Sequence, residues 1–256
     1  MIHFIRNAEL VFSHVTVSCP NKIGRKKILH DINLQAFRGE VLGIVGESGC
    51  GKSTLARALV GLQKIESGNI LFNDISLQTL DRRLRASTVQ MIFQDSLTAL
   101  SPRLSVLELV SEPLQVQGQL SRSQQFEKAS ELLGCVGLSS MLFTKKVLDL
   151  SGGQRQRVGI ARALILQPDI IVCDEPVAAL DVSVQAKILN LLMREQQERK
   201  HICLFISHDW DVIKYVSDKI AVMHAGVIVE YGSADDVIYR PQHEYTKKLL
   251  RDSGIR

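Results

Sequence analysis

The chain has 256 residues, of which 45% are hydrophobic and 23% charged, a balance typical of a globular protein with one large α/β domain or two lobes. Its net charge of +4 is mild and both signs are mixed along the chain, so charge gives no indication of a nucleic-acid partner. The five cysteines include no C-x-x-C pair, which disfavours a cysteine metal site and favours a reducing compartment. No uninterrupted apolar run reaches the roughly 18 residues that cross a bilayer, so we expect work at a membrane to require docking onto another subunit.

The first part of the chain predicts an antiparallel opening that leads into a buried strand and a helix. Residues 10–17 and 32–37 have the composition of strands, and the basic stretch 22–27 between them predicts a loop. The short apolar run 41–45 then predicts a buried strand. A helix follows, predicted from apolar residues at helical spacing, which are Leu55, Ala58, Leu59 and Leu62.

The segment between this strand and this helix fits the pattern G-x-x-x-x-G-K-[ST]. Glycines let the backbone curl around a phosphate with its N–H groups pointing inward, and the start of the helix is directed at the same anion. Lys52 can reach the outer phosphates, and Ser53 can hold Mg²⁺. A glycine-rich turn without a nucleotide is the alternative, which the flanking strand and helix disfavour. We predict that the phosphates of a nucleotide bind to the whole segment, Gly46-Glu47-Ser48-Gly49-Cys50-Gly51-Lys52-Ser53-Thr54.

The middle of the chain changes from strand patterns to helical ones. A strand is predicted at 69–72, and a further apolar run at 89–93 ends at Gln94. From 102 to 147 strand patterns disappear, which predicts an inserted helical lobe. One of its helical faces is formed by Ala129, Leu132, Leu133 and Val136.

Strand and helix alternate again after Ser151, the pattern of a parallel sheet with helices on both faces. The predicted strands are 170–173, 202–206 and 220–224, and the predicted helices lie near 155–166 and 184–198. Residues 227–231 are expected to pair back on the preceding strand, and 243–250 to form a short terminal helix.

Two neighbouring carboxylates, Asp174 and Glu175, follow the apolar strand 170–173. In an α/β sheet this is the edge at which ligands bind. Asp174 suits a contact to Mg²⁺, directly or through water, and Glu175 suits polarising an attacking water. Taken alone, an acidic pair at a strand end is more often merely structural, and the phosphate loop upstream reverses that preference.

A second glycine turn, Leu150-Ser151-Gly152-Gly153-Gln154, precedes the predicted helix near 155–166. By itself it fits the capped start of a helix. It also matches the LSGGQ signature, and here the sequence resembles the ATP-binding cassette ATPases. The resemblance implies that Ser151, Gly152, Gly153 and Gln154 contact the γ-phosphate held by a partner subunit, so that ATP joins two chains head to tail.

Further positions of the family match in the expected order. The resemblance implies that Gln94 contacts Mg²⁺ or water and transmits to a transmembrane partner, and that Asp181 belongs to the D-loop. It implies that His208 contacts the γ-phosphate, although a lone histidine is more often structural. The sequence departs from the family at Cys19, where an aromatic residue usually stacks on adenine, and at Ala178, where a D-loop serine is common.

Three stretches narrow the resemblance to the peptide/nickel importer subfamily, and specifically to the second of its two ATPases. They are 94–103, Glu112-Pro113-Leu114 and 241–246. The resemblance implies three kinds of partner: a second ATPase, which is a sister chain or a second copy, two transmembrane permease subunits and an extracytoplasmic solute-binding protein. It implies a peripheral location on the cytoplasmic face of the membrane. Ser96 and Leu148-Asp149-Leu150 slightly favour nickel or a metallophore over peptide as the cargo. No iron–sulfur cluster is expected, because no cysteine follows Cys203.

The predicted fold is an α/β P-loop NTPase domain over residues 1–256. It comprises an ATP-binding core with an antiparallel β subdomain at 1–94 and 151–240, a helical subdomain at 95–150 and a short tail at 241–256. The predicted function is ATP hydrolysis coupled to import, with Glu175, His208 and Lys52 as catalytic residues. One alternative is a weakly active or non-hydrolysing regulatory partner. Another is a cassette ATPase acting on DNA or the ribosome, which would need coiled-coil or basic insertions or a second cassette.

Overall fold

A computed structural model describes residues 9–21, 24–95, 99–178 and 180–254. Its strands are β1 (Glu9–Asn21), β2 (Gly24–Phe37), β3 (Val41–Val45), β4 (Ser67–Phe72), β5 (Ile75–Ser76), β6 (Val89–Ile92), β7 (Ile170–Asp174), β8 (Ile202–Ile206), β9 (Lys219–His224) and β10 (Val227–Ser233). Its α-helices are α1 (Lys52–Leu59), α2 (Arg82–Thr88), α3 (Val106–Gln117), α4 (Arg122–Cys135), α5 (Gly152–Leu164), α6 (Val182–Arg199), α7 (Trp210–Val216), α8 (Ala234–Tyr239) and α9 (Glu244–Asp252).

The first sheet is antiparallel, as predicted, with the strand order β2-β1-β4-β5. The predicted loop at 22–27 is wrong over 24–27, because these residues belong to β2 and Lys26 pairs with Cys19 of β1. Residues 22 and 23 lie outside the described ranges. Residues 24–27 are all exposed, so both faces of this end of β2 meet water, and β2 lies at the edge of its sheet. Charged side chains are common on such edge strands, so the basic composition of this stretch does not prevent it from forming a strand.

The second sheet has the order β10-β9-β3-β8-β7-β6, and its strands from β6 to β9 run parallel. Strand β10 pairs antiparallel with β9, as predicted. Strands β3, β7 and β8 are buried throughout, which explains their continuous apolar composition. Because the strands are parallel, the residues that follow β3, β6, β7 and β8 emerge at one edge of the sheet.

The two faces of this sheet pack against different partners. On one face, Leu42 and Ile44 belong to the same apolar cluster as α1 and the antiparallel sheet. On the other, Val41 and Phe205 belong to a cluster shared with helices α3 to α7. Side chains alternate between the faces of a strand, so each buried strand contributes to both clusters.

Helices α3 and α4 occupy the stretch in which strand patterns disappear from the sequence. Each begins with a capping box, formed by Ser105 with Glu108 and by Ser121 with Gln124. Ala129 and Leu133 are buried on α4, and Val136 is the residue that caps its end. No helix of the described residues is both long and apolar enough to span a membrane.

Some local predictions differ from the structure for identifiable reasons. Leu62 lies beyond α1 and is exposed, because Gly61 takes a left-handed φ of 80° and the helix has already ended. The sequence pattern predicts no element at α2, α7, α8 or β5. The three helices have only 6 or 7 residues, too few to show a helical period, and the caps that start them are Asp81, Asp209 and Ser233.

Candidate nucleotide site

The predicted phosphate loop connects β3 to α1 at the carboxyl edge of the parallel sheet. Gly46, Gly49 and Gly51 have φ angles of 152°, 80° and 117°, all in the region that favours glycine. A Cβ on Gly46 would lie 2.1 Å from the carbonyl oxygen of Met223, so no side chain fits there. Gly51 caps α1 without a side-chain hydrogen bond, which leaves the first N–H groups of this helix available to an anion.

Lys52 lies within the curl of this loop and is only 7% exposed. Its Nζ donates hydrogen bonds to the carbonyl oxygens of Gly46, at 2.7 Å, and Glu47, at 3.0 Å. The loop therefore surrounds a buried cation. Glu47, Ser48 and Gly49 form its exposed outer turn.

Asp174, the last residue of β7, is buried beside the first turn of α1. The Ser53 hydroxyl donates to its Oδ1 at 3.2 Å. Burial raises the pKa of Asp174, the hydrogen bond from Ser53 opposes this rise, and the negative charge of Glu175 adds to it. A carboxylate and a hydroxyl from two elements offer the oxygen ligands that Mg²⁺ prefers, so this pair fits the predicted ion.

The carboxylate of Glu175 is contacted by two other predicted site residues, which come from separate segments of the chain. Its carboxylate accepts a hydrogen bond from Nε2 of Gln94 at 2.9 Å and lies 3.1 Å from Nδ1 of His208. The backbone of Glu175 has a φ of 48°, which is unusual for a residue with a side chain, and its N–H donates to the carbonyl of Ile206. A strained backbone held by neighbouring strands is typical of functional sites.

The signature residues lie at the start of α5. Ser151 caps this helix through two hydrogen bonds with Gln154. The Ser151 N–H donates to Oε1 of Gln154 at 2.9 Å, and the Gln154 N–H donates to Oγ of Ser151 at 3.3 Å. Ser151 and Gly152 are exposed. Among the described residues, no hydrogen bond links the signature segment 151–154 to the phosphate loop of the same chain. Asp181 is likewise exposed, at the N-cap of α6.

Comparison with known proteins assigns the chain to the same family as the motifs of its sequence do. The family model described as "ABC transporter" matches residues 29–178. The chain belongs to the ABC transporter family. It is 44% identical over 228 residues to the "Oligopeptide transport ATP-binding protein OppF" of Escherichia coli (strain K12), with 88% of this chain and 68% of that protein covered. The Haemophilus influenzae protein of the same name is 45% identical, with 88% of this chain and 69% of that protein covered.

Solved structures agree with the fold as well. The dimeric ATP-binding cassette MJ0796, in a post-hydrolysis state bound to ADP and Pi, superposes with a TM-score of 0.82 at 30% identity, covering 88% of this chain and 98% of that one. The cbiO1 protein of Clostridium perfringens gives a TM-score of 0.76 at 28% identity, covering 98% and 96%. The predicted fold class is confirmed, and the chain is an ABC transporter ATPase that couples ATP hydrolysis to transport.

The two departures from the family pattern differ in their surroundings. Cys19 is half-buried on β1, opposite Lys26 of β2, and a thiol offers no aromatic face to adenine. Ala178 is exposed, and its N–H donates to the carbonyl of Glu175 at 3.3 Å. Ser96, one of the residues that favour nickel or a metallophore as the predicted cargo, lies outside the described residues.

Gln156 is a site residue for which the sequence pattern predicts no role. It is 2% exposed, and its Nε2 donates to the carbonyls of Phe93 and Pro176, each at 3.0 Å. Phe93 precedes Gln94, and Pro176 follows Glu175, so this one amide on α5 holds together the two segments that meet at the Glu175 carboxylate. The arginines on either side of it are polar too, and only burial distinguishes Gln156 from them.

Replacing Gln156 with leucine should lower both stability and turnover. The two carbonyls would lose their donor inside the protein, which costs about 1–3 kcal/mol in the free energy of unfolding, and Gln94 would lose its alignment with Glu175. Urea unfolding and ATPase rates of the purified chain measure the two effects. Gln115→Leu, on the exposed side of α3, is the control and should change the unfolding free energy by less than about 0.5 kcal/mol. Equal stability of the two variants would contradict this role for Gln156.

Proposed function

We propose that this chain hydrolyses ATP for an oligopeptide importer, at the cytoplasmic face of a membrane. Its partners would be a second cassette ATPase, which is a sister chain or a second copy, two permease subunits and an extracytoplasmic solute-binding protein. The observation that carries the proposed chemistry is the convergence of Gln94 and His208 on the Glu175 carboxylate. The cargo assignment rests on the names of the relatives, which transport oligopeptides.

We propose that the segment from Gly46 to Thr54 binds the phosphates of ATP. Its left-handed glycines and the uncapped start of α1 turn N–H groups towards an anion, and Lys52 supplies a positive charge from inside the curl. Ser53, Asp174 and Gln94 would hold Mg²⁺, which when bound supplies positive charge beside the transferring phosphoryl group. A nearby cation would favour the ionised form of Asp174, against the burial that raises its pKa.

Glu175 would act as the base that orients the attacking water and accepts its proton. Its carboxylate is held by contacts with Gln94 and His208, so its direction is set before the substrate arrives. The His208 side chain is 68% exposed, which leaves its ring accessible to a γ-phosphate on the solvent side. Lys52 would stabilise the negative charge that develops on the transferred group.

The signature would act on a neighbouring chain. Ser151 and Gly152 expose the N-terminus of a 13-residue helix, a suitable partner for phosphate oxygens, yet they make no hydrogen bond to their own chain's loop. A head-to-tail dimer would bring this helix start and the exposed Asp181 onto the partner's nucleotide. The similar cassette MJ0796, whose structure is dimeric, supports the pairing of two chains.

Cargo can be tested by uptake in living cells that carry the intact transporter. We expect cells whose chain carries Lys52→Ala to accumulate a labelled tripeptide at less than about a tenth of the normal rate, because ATP binding drives the transport cycle. Uptake of labelled nickel should be the same in both strains. Loss of nickel uptake with normal peptide uptake would overturn the cargo assignment but not the ATPase. Normal uptake of both would favour the alternative of a regulatory partner, to which the departures at Cys19 and Ala178 also point.

A further inference from the structure

The C-terminal stretch 241–246, which the proposed chemistry leaves without a role, contacts the phosphate loop. Tyr245, in the first turn of α9, accepts a hydrogen bond through its hydroxyl from the N–H of Glu47 at 3.1 Å. The two residues are 198 positions apart in the sequence. Glu47 is the second residue of the loop, directly after the glycine that leaves β3.

The peptide group between Gly46 and Glu47 is held from both of its sides. Its N–H donates to Tyr245, and its carbonyl oxygen, on Gly46, accepts from Nζ of Lys52 at 2.7 Å. A peptide group is planar, so its N–H and C=O turn together. The orientation of this one plane therefore links α9 to the position of the lysine ammonium inside the loop.

Tyr245 and the start of α9 are held in place by contacts with β9 and β10. Its ring packs on His224, the last residue of β9, with centroids 3.9 Å apart and an angle of 37° between the planes. The carboxylate of Glu230 on β10 accepts hydrogen bonds from the N–H groups of Gln242, at 2.7 Å, and His243, at 3.1 Å. Further along α9, Thr246 is 0% exposed and Leu250 is 4% exposed. The helix is thus fixed to β9 and β10 at its start and buried along one side.

The strand pair that supports α9 also contacts the loop directly. The N–H of Gly226, in the turn between β9 and β10, donates to the carbonyl of Cys50 at 2.9 Å. A Cβ on Gly226 would lie 2.2 Å from the carbonyl oxygen of Ile28, so the turn fits closely against β2. Both this contact and that of Tyr245 depend on elements that follow β8 in the chain.

We propose that Tyr245 is a positioning residue for the phosphate loop. Its hydroxyl holds the Gly46–Glu47 peptide in the orientation that places Lys52, and so raises the affinity for the phosphates of ATP and ADP. The effect acts on binding rather than on the chemical step, because among the described residues no hydrogen bond or ring contact joins Tyr245 to Glu175 or His208. The inference depends on ATP binding by this chain and is independent of the cargo.

The variant Tyr245→Phe tests this proposal, because it keeps the ring on His224 and removes only the hydroxyl. We expect the KM for ATP and the Kd for ADP to rise about fivefold, the change that corresponds to one neutral hydrogen bond, while kcat stays within about twofold. Deuterium exchange at the Glu47 amide should become faster. The ADP measurement on the purified chain needs no turnover, so it stays informative even if the proposed base or cargo is wrong.

Tyr215→Phe is the matched control. The hydroxyl of Tyr215 donates to Oδ1 of Asn190 at 2.7 Å, on the surface between α7 and α6. Its loss should leave KM, Kd and the exchange of Glu47 unchanged. An unchanged ADP affinity in Tyr245→Phe would overturn the proposal, whether or not the melting temperature fell, since a lower melting temperature alone would assign Tyr245 a structural role only.

Discussion

Replacing Glu175 with glutamine should lower ATP turnover by about two to four orders of magnitude while ATP still binds. Glutamine has nearly the same shape, and its two terminal amide atoms occupy the positions of the two carboxylate oxygens that contact Gln94 and His208. Its amide cannot accept the proton of the attacking water at neutral pH, so only the chemical step is removed. Phosphate release at saturating ATP measures turnover, and direct titration measures binding.

This variant should also accumulate as an ATP-bound dimer, because hydrolysis is the step that would let the pair reopen. Size-exclusion chromatography with and without ATP detects that dimer. Glu195→Gln is a matched control, since the Glu195 side chain is 17% exposed, Glu175 is 16% exposed, and Glu195 pairs with Arg199 on α6. Turnover in Glu175→Gln equal to that of the control would remove Glu175 from the role of base.

Replacing Lys52 with alanine should weaken ATP binding at least about thirtyfold. The variant removes a buried positive charge from the phosphate site, and truncating such a charged partner typically costs about 2–5 kcal/mol. It also leaves the carbonyls of Gly46 and Glu47 without the donor that holds the loop in its curl. Isothermal titration of the purified chain with ATP measures the loss.

Lys128→Ala removes the same charge from an exposed position on α4 and should leave ATP affinity unchanged. Lys52→Arg adds a second comparison, because arginine keeps the charge but has a longer, planar head that does not fit a compact enclosed site. It should restore only part of the affinity. Wild-type affinity in Lys52→Ala would contradict the assignment of the loop as the phosphate site.

Features that depend on neighbouring residues were predictable from the sequence alone. The loop from Gly46 to Thr54 is one example, because the glycines with left-handed φ, the lysine and the start of the helix all fall within a few residues of one another. The apolar strands β3, β7 and β8 are another, since burial on both faces requires a continuous apolar run. The phosphate site and the class of the core sheet follow from such local patterns.

Only the tertiary structure decided which distant residues meet. Gln94, Glu175 and His208 follow three different strands, and they converge because β6, β7 and β8 are adjacent and parallel. The amide of Gln156 and the hydroxyl of Tyr245 act on segments 20 to 198 residues away, through single hydrogen bonds that leave no periodic trace in the sequence. Strand order and helix packing set these contacts, and both depend on long-range burial rather than on local residue preference.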